Sequence, residues 1–252
     1  MEKNALVTLS YPEEYQNRVT HILRSAGYTV YTTKNEAQAL EVLKTAQIAL
    51  LGRPLPKEAL EEAPHLQWIH FDWVGVEGVL TRPMFKKGRM ITNGSGRNSL
   101  SLAEHVFFFI FTLTYGTREI ITAQQEHRWK VDHANEYTPL FGKTLLVVGA
   151  GSIGGEVARR SQAFGMRTIG YSRTRKEIDP VYDHQFSKEE GTALGTLIQE
   201  ADYVVLTTSL NTETYHLIDE QMFASMKKST YLINISRGAV VDEQALIEAL
   251  KS

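Results

Sequence analysis

The stretch 144–160, TLLVVGAGSIGGEVARR, decides how the rest of the chain is interpreted. Five residues typical of a buried strand are followed at once by Gly149-x-Gly151-x-x-Gly154, and helical spacing follows the glycines. In a strand–turn–helix unit, Gly149 permits the sharp turn, Gly151 lets a pyrophosphate approach the backbone, and Gly154 lets the helix pack closely on the strand. Backbone N–H groups at the helix start would hold the phosphate charge. The pattern predicts a dinucleotide-binding turn; the alternative is a glycine-rich turn that binds no ligand.

Strand-like and helix-like runs alternate on both sides of this stretch. Gly27 and Asn35 are of the types that end and begin helices. The strand-like runs are NALVTLS, YTVYTT, IALLGR, LQWIHFD and RMITN before it, and TLLVVGA, RTIGYS, DYVVLTTS and TYLINIS from it onward. Because strands that alternate with helices pair in parallel, we predict an α/β protein with two tandem open parallel sheets. The loop NGSGRNS marks the boundary between domains at 1–98 and 99–252.

A long apolar segment, SLSLAEHVFFFIFTLTYGTREIITAQQEHRW, follows this boundary loop at the start of the second domain. It is apolar through its middle and polar at both ends, which predicts a long helix, broken at Gly116, that buries more than one face. Such a helix lies either between two domains or in a dimer interface. We expect a homodimer formed through the region 99–130.

The composition disfavours several classes of protein. The 252 residues carry a net charge of -2, which gives no reason to expect a nucleic-acid partner. The absence of cysteine removes disulfides, Cys-ligated zinc and thiol catalysis, and fits a reducing, cytoplasmic location. We predict no metal site. The N-terminus has no signal-peptide core, and the apolar run VFFFIFTL is too short to span a bilayer, so no membrane partner is expected.

The strand RTIGYS ends where NAD-binding domains carry an acidic residue, about 20 positions after the glycine turn. Here Ser172 holds that position, and Arg173, Thr174, Arg175 and Lys176 follow. A carboxylate would repel a 2′-phosphate, whereas a serine with a flanking arginine would donate hydrogen bonds to it. The run therefore favours NADP, with NAD as the alternative cofactor. Arg175 and Lys176 have a second interpretation as an ordinary solvated charged surface.

Arg237 follows the last predicted strand, TYLINIS, and precedes Gly238. Ligands of open α/β sheets bind beyond the carboxyl ends of the strands, so an arginine here would point into the ligand crevice. Its guanidinium is always charged and offers a fork for a carboxylate or a polarised carbonyl. The alternative is a structural arginine paired with a nearby carboxylate.

Two longer blocks resemble a known family. GKTLLVVGAGSIGGEVARRSQAFGMRTIGYSR and ADYVVLTTSLNTETYHLIDEQMFASMKKSTYLINISRGAVVDEQALIEAL are similar to the D-isomer-specific 2-hydroxyacid dehydrogenases. The resemblance is strong from about Gly142 onward. Before it, DWVGVEGV resembles the family's substrate-carboxylate loop and AEHVFFFIFTL its linking helix. The resemblance implies a flavodoxin-like substrate-binding domain followed by a Rossmann dinucleotide-binding domain. The run YSRTRK is most similar to NADPH-preferring glyoxylate/hydroxypyruvate reductases.

The resemblance also implies a role for each matching residue. Arg237 would bind the substrate carboxylate and polarise the C2 carbonyl, and the backbone N–H groups of Val74 and Gly75 would bind the same carboxylate. A hydride would pass between the nicotinamide and C2 of a small 2-oxoacid or D-2-hydroxyacid. Beside the three glycines, the residues expected to hold the cofactor are Ser152 and Ile153 on the pyrophosphate, Ser172, Arg173 and Thr174 at the ribose, Thr207, Thr208 and Ser209 along the crevice, and Ile235 near the nicotinamide.

The sequence departs from the family pattern in one respect. The family uses a histidine as general acid/base, oriented by a glutamate, and both are expected beyond Ser252 together with two further strands and a helix. We therefore expect a truncated dinucleotide-binding domain with an exposed apolar sheet edge and reduced stability. By motif, none of the eight histidines replaces the missing one. His105 is expected to be packed and His216 structural, while His70 lies near the carboxylate loop.

Two functions are compatible with these residues. The first is an oxidoreductase that transfers a hydride between NADPH, or NADH, and a small 2-oxoacid such as glyoxylate or hydroxypyruvate. The second is a catalytically silent dinucleotide-binding or regulatory protein, because the acid/base histidine and its glutamate are absent from the chain. Arg237 and the carboxylate loop favour the oxidoreductase, since a pure sensor has little use for them.

Overall fold

The computed structural model describes residues 3–76, 78–85, 88–131, 137–174 and 179–251. The chain divides into two compact units, Met1–Ser95 and Gly96–Ser252. The division falls inside the loop NGSGRNS, at Ser95 rather than at Asn98. Each unit holds one five-stranded sheet whose paired strands are parallel. The predicted α/β class with two tandem open parallel sheets is thus confirmed.

The first unit has the strand order β2-β1-β3-β4-β5, which is the flavodoxin-like order. Its strands are β1 (Asn4–Val7), β2 (Thr29–Thr32), β3 (Ala46–Leu51), β4 (Trp68–Phe71) and β5 (Met90–Asn93). Its helices are α1 (Glu13–Ser25), α2 (Glu36–Leu43), α3 (Lys57–Glu62) and a 3-10 turn at Arg82–Met84.

Both faces of the first sheet are covered by apolar side chains. Leu6 of β1 belongs to one buried cluster, and its neighbours Ala5 and Val7 belong to another. Successive strand residues point to opposite faces, so helices lie on both sides of β1. Gly27 follows α1 with φ +84°, and the Asn35 side chain caps α2 by accepting a hydrogen bond from the Gln38 N–H at 3.0 Å. Gly27 thus ends a helix and Asn35 begins one, as the sequence predicted.

The second unit has the strand order β10-β9-β6-β7-β8. Its strands are β6 (Thr144–Val148), β7 (Arg167–Ser172), β8 (His184–Ser187), β9 (Tyr203–Leu206) and β10 (Tyr231–Asn234). Its helices are α4 (Ser99–Thr114), α5 (Thr117–Gln125), α6 (Ser152–Ala163), α7 (Leu194–Ile198), α8 (Glu220–Ser225), α9 (Glu243–Ala249) and a 3-10 turn at Gly238–Val240. The sequence interpretation missed β8, which is short, half exposed and lies at the sheet edge.

Buried side chains on both faces also explain why β6 is continuously apolar. Leu145 and Val147 pack in a cluster with residues of α4 and α6, while Leu146 and Val148 pack in a cluster with α7 and the 3-10 turn. A strand buried on both faces has no polar alternation, which is the pattern that TLLVV shows. β6 therefore anchors the glycine turn that follows it in the interior of the unit.

The predicted long helix is broken at Gly116, as expected. Gly116 has φ +55°, and the chain bends by 65° between α4, which precedes it, and α5, which follows it. One face of α4 is buried, through Val106 and Ile110 among others, and the opposite face exposes several large apolar side chains: Leu100, Phe108, Phe109 and Leu113. His105, expected to be packed, is instead exposed on that face, with its ring centroid 4.6 Å from that of Phe109.

No single helix among the described residues is long and apolar enough to cross a bilayer, and α4 and α5 reach the required length and composition only as a bent pair.

Candidate dinucleotide-binding site

The turn after β6 has a backbone that requires glycine at its first position. Gly149 has φ +106°, and a Cβ built on it would lie 2.6 Å from the backbone N of Thr208. Its N–H donates to the Tyr171 carbonyl at 2.8 Å, so the turn also stays joined to β7. Both the conformation and the close approach to the end of β9 exclude a side chain here.

Gly151 meets a different environment. It caps the N-terminus of α6 in an extended conformation, and the nearest atom to a Cβ built on it, the Gly149 carbonyl oxygen, is 4.0 Å away. The space above the first turn of α6 is therefore open within the second unit. Ser152, the first helical residue, is exposed. An open helix N-terminus with exposed N–H groups is the geometry that accepts a phosphate group.

Gly154 is buried where α6 crosses β6. A Cβ built on it would lie 2.6 Å from the Gly149 carbonyl oxygen and 2.7 Å from Cγ1 of Val147. Ile153 is half-buried and packs against the adjoining apolar cluster. Any side chain at 154 would push the helix away from the strand, so this glycine sets the distance between helix and turn.

The end of β9 braces the glycine turn. The Thr207 hydroxyl donates to the Gly149 carbonyl at 2.7 Å, and its N–H donates to the Val148 carbonyl at 2.9 Å. Thr208 is half-buried beside the turn, and Ser209 is exposed, with its carbonyl accepting from the Thr214 hydroxyl at 2.7 Å. Of the predicted crevice residues, Thr207 and Thr208 thus lie against the glycine turn.

The end of β7 forms a compact Ser-Arg-Thr turn. The Ser172 hydroxyl donates to the Thr174 carbonyl at 2.8 Å. Arg173 is exposed, and its carbonyl accepts from the Glu189 N–H at 3.1 Å. Arg175 and Lys176 lie outside the described residues. The turn holds hydroxyl and guanidinium groups where a carboxylate was expected for NAD.

Arg237 lies at the carboxyl end of β10, where an asparagine organises the backbone around it. Oδ1 of Asn234 accepts from the Ser236 N–H at 2.9 Å and from the Ser236 hydroxyl at 2.7 Å. Nδ2 of Asn234 donates to the Arg237 carbonyl at 3.0 Å. Ile235 is half-buried, and its N–H continues the pairing with β9 through the Leu206 carbonyl at 3.2 Å.

Arg237 itself is exposed, and its Nη1 donates to the carbonyl of Ser236 at 2.9 Å. The sequence interpretation did not single out Asn234. The available signal was an asparagine at a strand end two residues before a serine, since asparagine side chains commonly bond the backbone two residues on.

Val74 and Gly75 lie in the first unit, in the loop that follows β4. This loop leaves the carboxyl edge of the sheet next to β3, because the Asp72 N–H donates to the Leu51 carbonyl at 2.8 Å. Val74 is exposed, and its carbonyl accepts from Nδ2 of Asn93 at 3.0 Å. That bond turns the Val74 carbonyl toward β5 and fixes the loop that carries the two N–H groups.

Comparison with known proteins supplies the family. Residues 107–252 match the NAD binding domain of the D-isomer specific 2-hydroxyacid dehydrogenases. The chain belongs to this family. It is 35% identical over 263 residues to a glyoxylate reductase of Korarchaeum cryptofilum. The alignment covers all of this chain and 76% of that protein.

Further relatives agree with this assignment. A glyoxylate reductase of Pyrococcus horikoshii is 34% identical over 213 residues, which are 82% of this chain and 62% of that protein. A D-lactate dehydrogenase from Aquifex aeolicus, solved in complex with NAD and lactic acid, superposes with a TM-score of 0.76 at 29% identity, over 98% of this chain and 73% of that one. The chain thus spans between about three fifths and three quarters of the length of these family members.

Two of the histidines contact neighbouring side chains of their own unit. Nδ1 of His216 lies 3.3 Å from a carboxylate oxygen of Asp242, and its ring stacks on Tyr215 at 4.0 Å. Nδ1 of His70 lies 2.9 Å from the Thr92 hydroxyl. No group of three or more metal-ligating side chains occurs among the residues that the structure describes.

Proposed function

We propose that this protein is an NADPH-dependent reductase of a small 2-oxoacid such as glyoxylate or hydroxypyruvate. The observation that carries the proposal is the glycine turn, held against Thr207 and Thr208, with open space above Gly151. The match to the family's NAD binding domain and the two relatives named glyoxylate reductase support the reaction class.

In the proposed site each residue has a positioning or binding task. The first turn of α6, with Gly151, Ser152 and Ile153, would hold the pyrophosphate, and Thr207, Thr208 and Ser209 would border the dinucleotide crevice. The bound dinucleotide would supply the hydride, with its nicotinamide near Ile235. Arg237 would bind the substrate carboxylate and polarise the C2 carbonyl through two N–H groups.

The Val74–Gly75 loop of the first unit would complete substrate binding. Its backbone N–H groups would donate to the substrate carboxylate, so that Arg237 could share this carboxylate and also polarise the C2 carbonyl. Backbone N–H donors carry no net charge and need no side-chain ordering, so they fix the orientation of a small anion at little entropic cost.

The choice of NADPH rests on the turn after β7. Arg173 would donate to a 2′-phosphate, and Ser172 would do so after its hydroxyl turns away from the Thr174 carbonyl, while no acidic side chain occurs at 172–174 to repel the phosphate. The family's NAD binding domain and the NAD in the Aquifex relative favour NADH as the alternative.

The cofactor choice can be measured by titrating NADPH and NADH and following nicotinamide fluorescence. We expect NADPH to bind more tightly, and Arg173→Ala to weaken NADPH about 10- to 100-fold while leaving NADH within about twofold, because the lost contact is charge-assisted. Exposed Arg24 of α1 provides a matched control, since Arg24→Ala removes the same charge elsewhere. Tighter NADH binding in the unaltered protein would reject the NADP assignment.

The reductase proposal is tested by mixing the protein with each cofactor and each 2-oxoacid and following oxidation of the cofactor. Turnover of glyoxylate or hydroxypyruvate supports the proposal. The family's acid/base histidine has no counterpart by motif among the eight histidines of this chain. Cofactor binding without turnover of any 2-oxoacid would therefore indicate a dinucleotide-binding regulatory protein instead.

We further propose a cytoplasmic homodimer formed through the 99–130 region. The support is the exposed apolar face of α4, since contiguous apolar surface of this kind is typical of interfaces between subunits.

A further inference from the structure

The loop after β4 is anchored on both sides of Val74 and Gly75. The side chains of Trp73 and Val76 pack against an apolar cluster of the first unit, and the centroid of the Trp73 ring lies 5.2 Å from that of Phe71. Val74 is exposed and Gly75 is half-buried. The loop thus presents the backbone of these two residues at the surface of its unit.

Two consecutive carbonyl groups of this loop are bonded to the end of β5. The Gly94 N–H donates to the Trp73 carbonyl at 3.3 Å, and Nδ2 of Asn93 donates to the Val74 carbonyl at 3.0 Å. Both peptide groups are trans, so the C=O and the N–H of each point in opposite directions. The N–H groups of Val74 and Gly75 therefore both point away from β5.

These two N–H groups have the arrangement of a small anion site. Within the described part of the chain, neither of them donates to a protein acceptor. Successive backbone N–H groups that are directed to one side of a turn form a concavity that binds an anion. Glyoxylate and hydroxypyruvate each carry one carboxylate, which matches one such concavity.

The Asn93 side chain is held so that its amide nitrogen faces the loop. Its Oδ1 accepts from the Ser95 N–H at 3.3 Å, and a Cβ built on Gly94 would lie 3.2 Å from the Asp72 carbonyl oxygen, so the segment 93–95 lies close against the loop. The Val74 carbonyl can only accept and the Ser95 N–H can only donate. A side chain with one donor and one acceptor, such as an amide, satisfies both of them, whereas an ionised carboxylate cannot.

The second unit uses the same arrangement. Each sheet has an edge strand, β5 or β10, whose last residue is an asparagine, Asn93 or Asn234. In both turns Oδ1 accepts from the N–H of a serine two residues on. In both turns Nδ2 donates to the carbonyl of a residue proposed to bind the substrate, Val74 in the first unit and Arg237 in the second.

We propose that Asn93 is a positioning residue for the substrate carboxylate. Its amide holds the Val74 carbonyl and thereby directs the Gly75 N–H of the same peptide group toward the anion. The inference rests on the proposed function and adds a residue to its substrate site. It requires that the affinity for the 2-oxoacid, and not the affinity for the dinucleotide, depends on the donor of the Asn93 side chain.

The first measurement is the affinity of glyoxylate for the protein loaded with NADP⁺, followed by calorimetry, since the oxidised cofactor forms the complex without turnover. Asn93→Ala should weaken glyoxylate about three- to tenfold, on the scale of one hydrogen bond, and leave the affinity for NADP⁺ within about twofold. Asn35→Ala is the matched control, because it removes one side-chain hydrogen bond from the helix cap of the same unit and should leave both affinities unchanged.

Asn93→Asp provides a second measurement that a general structural role would not produce. At neutral pH the introduced carboxylate has no donor for the Val74 carbonyl and repels the substrate anion, so glyoxylate should bind more than about tenfold more weakly. Below about pH 5 the carboxyl group gains a proton and can donate as the amide does, so the affinity should recover relative to the unaltered protein. Asp72, bonded to the Tyr11 hydroxyl, is present in both proteins, and the ratio of affinities cancels its titration.

Oxamate separates this inference from the proposed function, because it carries one carboxylate and is not a 2-oxoacid substrate. If glyoxylate binds equally well to Asn93→Ala, or if the affinity of Asn93→Asp does not recover in acid, the role of Asn93 is wrong while the reductase stands. If no 2-oxoacid binds but oxamate raises the Tm of the unaltered protein more than that of Asn93→Ala, the reductase is wrong while the anion site stands. If neither binds to the unaltered protein, both are rejected.

Discussion

The three glycines of the turn after β6 differ in what a side chain would meet. Gly149 faces backbone atoms of the β9 end, Gly154 faces the turn itself, and Gly151 faces open space. Gly149 therefore permits the backbone conformation of the turn, Gly154 permits close packing of the helix, and Gly151 leaves space for a ligand. This difference allows stability and ligand binding to be separated by substitution.

Gly149→Ala should destabilise the second unit. The φ of +106° and the 2.6 Å approach to the Thr208 backbone N are both incompatible with a Cβ, and we expect a loss of about 2 kcal/mol or more in the free energy of unfolding. Urea denaturation followed by circular dichroism measures this loss. An unchanged midpoint would show that the turn adapts.

Gly151→Ala is the matched control at the same turn. Its backbone is extended with φ -99°, and the nearest atom to the added methyl group lies 4.0 Å away, so the unfolding midpoint should hardly change. The methyl group would occupy the open space above α6, and dinucleotide affinity should fall about tenfold or more. Unaltered cofactor affinity would place the pyrophosphate elsewhere.

Asn234 should act as a positioning residue for Arg237. Asn234→Asp keeps the acceptor for Ser236 but removes the donor to the Arg237 carbonyl, so the turn should loosen at the arginine. We expect 2-oxoacid affinity to fall about three- to tenfold at unchanged cofactor affinity, on the scale of one hydrogen bond. Calorimetry with cofactor and then substrate separates the two. A parallel loss of both affinities would indicate a general structural role.

Asp202 provides a pH-dependent contribution to stability at the amino end of β9. Burial would raise the pKa of this carboxyl group, but the Thr144 N–H at 2.8 Å and the Lys227 ammonium at 2.9 Å outweigh it, and the net pKa is lowered. A folded pKa below the unfolded one means that the stabilisation is complete above the ordinary value of 3.8 and is lost as the pH falls below it.

Asp202→Asn should accordingly lower the free energy of unfolding by about 1 kcal/mol at neutral pH and by progressively less in acid. Denaturant titrations between neutral pH and pH 3 measure the change. Glu200, in an exposed pair with Arg167 at 2.9 Å, is the control: Glu200→Gln should change little at any pH. A constant difference between Asp202→Asn and the unaltered protein would contradict the linkage.

At the scale of single residues, what the sequence predicted depended on local chemistry. The glycine turn and the Asn35 cap are visible because their conformations are local and their residue types few. The role of Asn234 is not visible, because it depends on hydrogen bonds that form only in the folded turn.

At the scale of elements, α4 combines a buried and an exposed apolar face. Phe108 and Phe109 lie on the exposed face, and their rings contact each other at 5.5 Å between centroids. A helix in a monomer ordinarily exposes a polar face. The expected homodimer would bury this surface.

Phe108→Glu should therefore shift the protein from dimer to monomer in sedimentation velocity, since it places a charge in a desolvated interface. Ile22→Glu on α1, which changes an equally exposed apolar residue of the first unit, should leave the assembly unchanged. A monomeric unaltered protein would refute the dimer, and a dimer that survives Phe108→Glu would place the interface elsewhere.

Predictability from sequence also varied among elements. Helices and buried strands were found because their apolar periodicity is strong, and the break at Gly116 because glycine weakens a helix. β8 was missed because HQFS has one buried residue and little apolar character. β8 is an edge strand that forms by pairing with β7. Such pairing does not require a strongly apolar sequence, so the composition of the segment does not reveal it.

At the scale of the whole molecule, the two sheets share one construction rule. Every strand pairing in both of them is parallel, so each pair is joined by a crossover rather than a tight hairpin. Because strands alternate with helices in both units, this alternation along the sequence was enough to predict the fold class. The substrate class, by contrast, depends on side chains at the strand ends, which alternation does not describe.

The same rule governs how the chain reaches its native state. Two parallel strands are separated by a long stretch of chain, which loses entropy before the hydrogen bonds between the strands form. Refolding from denaturant should therefore be slow compared with that of helical proteins of similar size. During this delay the apolar strands β6 and β9 stay exposed to other unfolded chains. Recovery on refolding should consequently rise with dilution and with low temperature.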